Sequence, residues 1–300
     1  MTDHATTPRS YRDYFIVNGR HVGDYEGMYR DCEDPWNIES LGLRLDMLAA
    51  LLLAGHSPPE ARGPGGALRV LDAGAGAGLF SLALYEELTK GFLHVELTLA
   101  DISPTALRKA RARFEAAGAA LPRLVPYDLR LLAGGPAGGV CHGPGGVPVP
   151  NPEPSASARS SAAASFSSSA STRPVPGQDA AMGPRETGPS QAAEPGRTPS
   201  PSGGPFTPGS FDLIVLAQTL WGIVLELPGV TAGFRHLLAE RGQLLVSQHF
   251  PGKDVQEWGR EVTGPEAFST ILAEGGFEPL SELETNRASN HHWGAMWRKI

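Results

Sequence analysis

The sequence predicts an α/β fold, a Rossmann-like doubly wound sheet that is mostly parallel, with a C-terminal antiparallel strand and extra N-terminal helices. Three observations carry this expectation. Short apolar runs alternate with segments of helical periodicity along most of the chain; one such run leads straight into "DAGAGAG"; and a long Ala/Gly/Pro/Ser-rich stretch interrupts the alternation without ending it. Alternating β and α units imply parallel strands joined by right-handed crossovers, with helices on both faces.

Taken in order, "SLGLRLDMLAALLLAG" predicts a helix ahead of the first strand. "ALRVLDAG" reads as a buried strand, Ala67 to Leu71, ending in a glycine turn, and "LFSLALYEELTK" follows at helical spacing. "LHVELTLAD" is a second strand ending at Asp101. In "SPTALRKARARFEAAG", Ser103 is suited to cap, Pro104 to the first helical position and Gly118 to the stop. "RLVPYDL" makes a third strand. Beyond the interruption come an apolar strand, "FDLIVLAQTL", a helix, "VTAGFRHLLAERG", ending at Gly242, and a fifth strand, "QLLVSQHF". "GPEAFSTILAEGGF" is a helix opened by Pro265 and closed by Gly275 and Gly276. "FEPLSELETN" and "HHWGAMWRKI" then form two strands joined by a short loop, which makes that pair antiparallel.

The interruption runs from about Leu132 to Pro208 and contains no Trp, Tyr or Lys. Such a segment buries too little apolar area to offset the entropy of ordering it. A disordered insertion, 132–208, is therefore expected within one domain built from 1–131 and 209–300. Net charge over the 300 residues is −7, without a dense Lys/Arg run, which argues against nucleic acid as a partner. Cys32 and Cys141 form no C-x-x-C pair, so neither a disulfide framework nor a metal site is expected. The longest apolar stretch, Leu41 to Ala54, carries Arg44 and Asp46 and is too short to span a bilayer. The first twenty residues lack the apolar block of a secretion signal, so a soluble cytoplasmic protein is expected.

Spacing decides which ligand suits the glycines. A phosphate loop needs a Lys after its last glycine, and none follows Gly78. A dinucleotide turn needs G-x-G-x-x-G, but in Asp72-Ala73-Gly74-Ala75-Gly76-Ala77-Gly78 the third glycine arrives one residue early. An acid also stands two residues before the first glycine.

D/E-x-G-x-G-x-G at the end of a first strand resembles the signature of class I S-adenosylmethionine-dependent methyltransferases. The resemblance implies S-adenosyl-L-methionine as cofactor and S-adenosyl-L-homocysteine as product, held by Asp72, Ala73, Gly74, Gly76 and Gly78. Asp72 would orient the loop, or accept a bond from the ligand's ammonium directly or through water. Asp101, followed by Ile102, stands where the family's carboxylate accepts both ribose hydroxyls; its alternative is a helix cap. Asp128 and Leu129 in "VPYDL" stand at the adenine site, with an exposed loop acid as the other reading of Asp128. "FDLIVLAQTLW" resembles the family's fourth motif and places Gln218 at the cofactor. These matches run in the expected order from Leu68 to Phe250.

"DYEGMYRDCEDPWNIESLGLR", Asp24 to Arg44, resembles the segment before the first strand in small-molecule methyltransferases of the nodulation-protein-S type, which N-methylate a sugar amine. The resemblance implies that 1–55 supplies helices that cover the cofactor. Tyr29, Trp36 and Arg44 would touch it, and Tyr25 would face the substrate; Trp36 suits an ordinary core aromatic equally well. The acceptor belongs at the carboxyl edge of the sheet. His249, after the fifth strand, is placed there as a general base for a hydroxyl, and an amine needs none. The loop "ASNHHW" brings His291 and His292 to the same edge, where they would face substrate, and Trp221 is a pocket wall, a stacking surface for a cationic or sugar substrate, or plain packing. The expectation is methyl transfer to an N or O nucleophile of a small molecule such as a sugar amine, metabolite or natural product. Its alternatives are a protein or RNA methyltransferase of the same fold and a non-catalytic cofactor-binding scaffold.

Overall fold

The computed structural model describes residues 14, 16–17, 20–21, 23–36, 63–134, 204–251, 264–287 and 290–300. A helix, α1 (Tyr25–Asp31), follows a two-residue hairpin pairing Ile16–Val17 with Arg20–His21. The main sheet opens with β1 (Leu68–Ala73), buried along its length except at Arg69, as befits a central parallel strand. Next come α2 (Leu79–Gly91), β2 (Val95–Asp101), α3 (Pro104–Ala116) and β3 (Arg123–Pro126). The second half supplies β4 (Phe211–Ala217), the single turn α4 (Leu220–Ile223), α5 (Leu227–Leu237), β5 (Leu238–Pro251), α6 (Pro265–Glu274), β6 (Phe277–Arg287) and β7 (Asn290–Lys299).

The seven strands lie in the order β3-β2-β1-β4-β5-β7-β6. All are parallel except β7, which runs antiparallel to both β5 and β6. After β1 the chain builds outward through β2 and β3, then returns to place β4 on the other side of β1. That reversal opens a crevice at the carboxyl ends of β1 and β4, where open α/β sheets bind ligands. Strand alternation feeds two cores. Leu213 and Val215 of β4 face Phe80 and Leu84 of α2 and Leu107 and Phe114 of α3. Ile214 and Leu216 face Val230 and Phe234 of α5 and Phe268 of α6. At the opposite edge Asp212 locks β4 to β1, accepting from Arg69 through its backbone N, Nε and Nη2 at 2.9, 3.1 and 2.7 Å.

The expected start of α3 is present: Ser103 Oγ accepts from the Ala106 N–H at 3.1 Å, with Pro104 in the first helical position. Apart from shifts of one to three residues at other ends, two boundaries differ from the sequence reading. The helix expected to run to Gly242 stops at Leu237, because Leu238 is fully buried in β5 opposite Phe211 and the chain turns at Arg241 with φ +56°. Adjacent leucines satisfy a helix and a strand alike, so periodicity could not separate them. The insertion boundary at 132 also moves. Leu129–Gly134 form a 3₁₀ turn on which α5 packs so closely that a Cβ on Gly233 would stand 2.6 Å from that of Leu132. On the far side Phe206 is buried between Tyr127 and Phe211, with ring centroids at 5.2 and 5.8 Å. Residues 135–203, and the helix expected over residues 40–55, lie outside the described residues. No helix among the described residues is long and apolar enough to cross a membrane.

These contacts separate two deletions. Removing 132–208 takes Leu132 and Phe206 with it and is expected to lower the melting temperature by about 5 °C or more, the effect of losing a few kcal/mol of packing. Removing only 138–200 retains both and should leave the melting temperature within about 2 °C of the full chain. Equal melting curves for the two deletions would refute the assignment.

Candidate functional site

The turn leaving β1 is built by its neighbours. Gly74, Gly76 and Gly78 have φ of +83°, +55° and +73°, values that side-chain-bearing residues rarely adopt. Each also faces a specific obstacle. A Cβ on Gly74 would overlap Thr219, one on Gly76 would overlap the Tyr29 hydroxyl, and one on Gly78 would stand 2.7 Å from Ala110 Cβ. Gly74 and Ala75 both donate backbone N–H bonds to Ala100 O, at 2.8 and 3.1 Å, tying the turn to β2. Ala73 is buried in the core and offers the crevice only its backbone.

Two carboxylates lie under this turn. Asp72, at the carboxyl end of β1, is 1% exposed. Its Oδ2 accepts from Ser81 Oγ at 2.6 Å, while Oδ1 is buried without a hydrogen-bond partner. Asp101 ends β2, where Oδ2 accepts from Gly76 N and Oδ1 from Ser103 N, both at 2.8 Å. Burial pushes Asp72 up to about 7, with the Asp101 charge adding to it against the Ser81 bond. Burial likewise raises Asp101 to about 6, against its two backbone bonds and with a contribution from Glu26. No cation among the described residues offsets either charge. Beside Asp101, Ile102 is 39% exposed, an apolar surface at the edge of the crevice.

Helix α1 crosses the turn. Asp24 caps it, accepting from Gly27 N at 2.8 Å. The buried Tyr29 hydroxyl, seated on Gly76, accepts from Trp36 Nε1 at 2.8 Å, and burial raises its pKa well above the usual phenol value. Tyr25 approaches α4, its hydroxyl 2.9 Å from where a Cβ on Gly222 would stand. Glu26 reaches the start of α3, accepting from Ser103 Oγ at 2.5 Å, from Thr105 N at 3.1 Å and from Thr105 Oγ1. Those bonds, Ser103 foremost, hold its pKa below the usual value. Lys109 of α3 donates to Glu33 Oε2 at 2.6 Å and to Cys32 O at 3.0 Å, fastening the segment after α1.

The remaining positions divide. Burial works to raise Asp128, but a bidentate pair with Arg130, 2.7 Å at its shortest, holds its pKa low. The Leu129 side chain belongs to the core, leaving only its backbone for a ligand. Gln218 has φ +57° and bonds to β5 through both ends of its amide. His249 and His292 face each other across β5 and β7 at the carboxyl edge, ring centroids 4.7 Å apart. His291 pairs with Phe250 in the same ladder. Arg44 and the side chains of Trp221 and His291 lie outside the described residues. Sequence reasoning gave no role to Thr219, Ser81 or Glu26. Small hydroxyls and a helix-face acid carry no spacing signature, and only the three-dimensional neighbourhood of "DAGAG" reveals them.

No protein-family model matches the chain, and no curated protein does. Among solved structures it is similar to the N-methyltransferase NodS from Bradyrhizobium japonicum WM9 in complex with S-adenosyl-L-homocysteine. The TM-score is 0.52 and the identity 17%, over 92% of this chain and 97% of that one. It is also similar to the magnesium protoporphyrin IX methyltransferase ChlM from Synechocystis PCC 6803 with bound SAM (TM-score 0.47, 15% identity, 96% of this chain and 95% of that one). A third is the [4+2]-cyclase SpnF (TM-score 0.49, 11% identity, 86% and 80%). NodS carries the likeness, which is one of fold: the chain has the Rossmann-like architecture of that methyltransferase.

The two buried carboxylates make stability depend on pH. With folded values near 7 and 6 against 3.8 for the ordinary group, both bind protons more readily in the folded state. Their stabilising contribution is complete below the unfolded value and is lost as pH climbs through 6 and 7. The ligand-free protein should therefore melt at progressively lower temperature from pH 5 to pH 8. Asp72→Asn should raise the pH 8 melting temperature by about 3 °C, on the order of 1 kcal/mol, and flatten the slope. An unchanged slope in that variant would contradict the assignment.

Proposed function

We propose that the protein is an S-adenosylmethionine-dependent methyltransferase that moves a methyl group to a nitrogen or oxygen nucleophile of a small molecule. One observation carries the reading: Asp72 and Asp101 lie under a positive-φ glycine turn at the switch point of the sheet, with no cation among the described residues and one Asp72 oxygen buried without a partner. That donor set fits the cofactor. A cationic amino-acid ligand would offset the two charges, and the orphaned Asp72 Oδ1 is an acceptor suited to its ammonium directly or through water. Asp101 spends one lone pair of each oxygen on the chain's own N–H groups and keeps others for the ribose hydroxyls. Ile102 offers apolar contact beside it, and Asp128 with the Leu129 backbone provides the adenine edge.

When bound, S-adenosylmethionine supplies a methyl carbon activated by a sulfonium and open to in-line displacement. The chain's part is to position two reactants and exclude water. Tyr29, buried on Gly76 and bonded to Trp36, closes the turn from the side of α1. Tyr25 and His292 are assigned to the acceptor's surroundings. His249 takes the proton when the nucleophile is a hydroxyl and is dispensable for a neutral amine.

Two experiments test this. Calorimetric titration should show binding of S-adenosylmethionine and S-adenosylhomocysteine but not of NADH, and Asp101→Ala should weaken both by about 10-fold or more, the loss of one to two charge-assisted bonds. Binding of NADH alone would reject the reading. A labelled-methyl screen of amines, sugars and phenols then identifies the acceptor. On a hydroxyl acceptor His249→Ala should lower turnover by about 100-fold or more, within the range of general-base catalysis, while turnover on an amine changes little. An equal loss on both would remove His249 from the role of base.

A further inference from the structure

The ladder between β1 and β4 ends at the pair Asp72–Val215, two residues before the glycine turn begins at Gly74. The register holds no pair beyond it, and the crevice opens there. Thr219 is the residue that spans it. Its Oγ1 lies 3.2 Å from Ala73 O, 3.4 Å from Gly74 O and 3.0 Å from Ala217 O, so its one proton has acceptors within reach on both sides of the opening. The rest of its side chain fills the space beside Gly74 that a Cβ would need.

Thr219 reaches across because the residue before it is bent. Gln218 has φ +57°, a conformation that side-chain-bearing residues rarely adopt and retain only where the surroundings over-determine it. They do so here. The Gln218 N–H donates to Ser247 O at 2.8 Å, Nε2 donates to the same carbonyl at 3.1 Å, and Oε1 accepts from His249 N at 3.1 Å. Three bonds to β5 thus hold one non-glycine residue in the left-handed region, and the bend delivers the next side chain onto Gly74.

We propose that Gln218 and Thr219 form a positioning clamp that fixes the glycine turn of β1 relative to the carboxyl ends of β4 and β5. This rests on the methyltransferase reading above. Thr219 acts on the ligand through the Gly74 backbone, and the strain at Gln218 is held in reserve for that placement. The same dipeptide ties the donor side to the acceptor side, since its amide also anchors the backbone of His249. A misplacement of about 1 Å between reacting groups is enough to slow a displacement substantially.

The test uses S-adenosylhomocysteine as probe with the full chain, reading calorimetric affinity and the ligand-free melting temperature together. Thr219→Val keeps the shape and removes the hydroxyl. It should weaken binding about 10-fold while the melting temperature moves by less than about 2 °C, and Thr219→Ser should restore affinity to within about 3-fold of the parent. Gln218→Gly, which permits the backbone bend but removes both amide bonds, should weaken binding as Thr219→Val does. Unchanged affinity in Thr219→Val overturns the clamp, as does a loss of affinity that Thr219→Ser fails to rescue. A parent protein that binds no S-adenosylhomocysteine overturns the functional reading and the clamp with it.

Discussion

The N–H of Gly76 donates to Asp101 while the Tyr29 hydroxyl occupies the space where a side chain on Gly76 would stand. That one glycine is therefore held from two sides, by the end of β2 below and by α1 above, and the crevice takes its form from the arrangement. Asp101 sits where it does because β2 pairs in register with β1 up to Ala73–Ala100. Tyr29 sits where it does because Glu26 and Lys109 fasten α1 and the segment after it to α3. A larger residue at 76 would collide with the Tyr29 hydroxyl and strain, at φ +55°, the backbone whose N–H Asp101 accepts.

The same arrangement is electrostatically unfinished. Fully hydrogen-bonded carboxylates at a helix start normally fall in pKa, yet Asp72 and Asp101 rise because burial outweighs the few bonds they receive and each feels another acid nearby. Glu26, half exposed, and Glu33, exposed, are bonded to α3 and move the other way. The protein thus concentrates uncompensated negative charge at the floor of the crevice and compensated charge at its cover. On the function proposed above, the affinity for a cationic ligand and the cost of these buried charges to the ligand-free fold would have one origin, as expected where function opposes stability.

Much of this was legible in the sequence because it rests on short-range rules. The glycine spacing, the Ser103–Pro104 helix start and the aspartates at the ends of β1 and β2 each express a local backbone requirement, and the order of elements followed from periodicity. The misplaced parts depend on distant neighbours. Leu237 and Leu238 carry one pattern into two structures, and only Phe211 on the facing strand decides between them. Leu132 and Phe206 lie in a composition typical of linkers, and their burial is set by α5 and Tyr127. Thr219 is invisible for the same reason: its partner is Gly74, 145 positions away.

That separation has a consequence for how the chain reaches its fold. β1 and β4 are central neighbours, yet Arg69 and Asp212, which lock them, are 143 residues apart in sequence. Closing so long a loop adds only about 0.6 kcal/mol for each doubling of its length, which is why the fold tolerates it at equilibrium. The burden falls on kinetics, because the pairing that creates the switch point waits on the least local contact in the sheet. The α2–β2–α3–β3 half can assemble from nearby partners. The crevice needs both halves and so depends on that distant pairing.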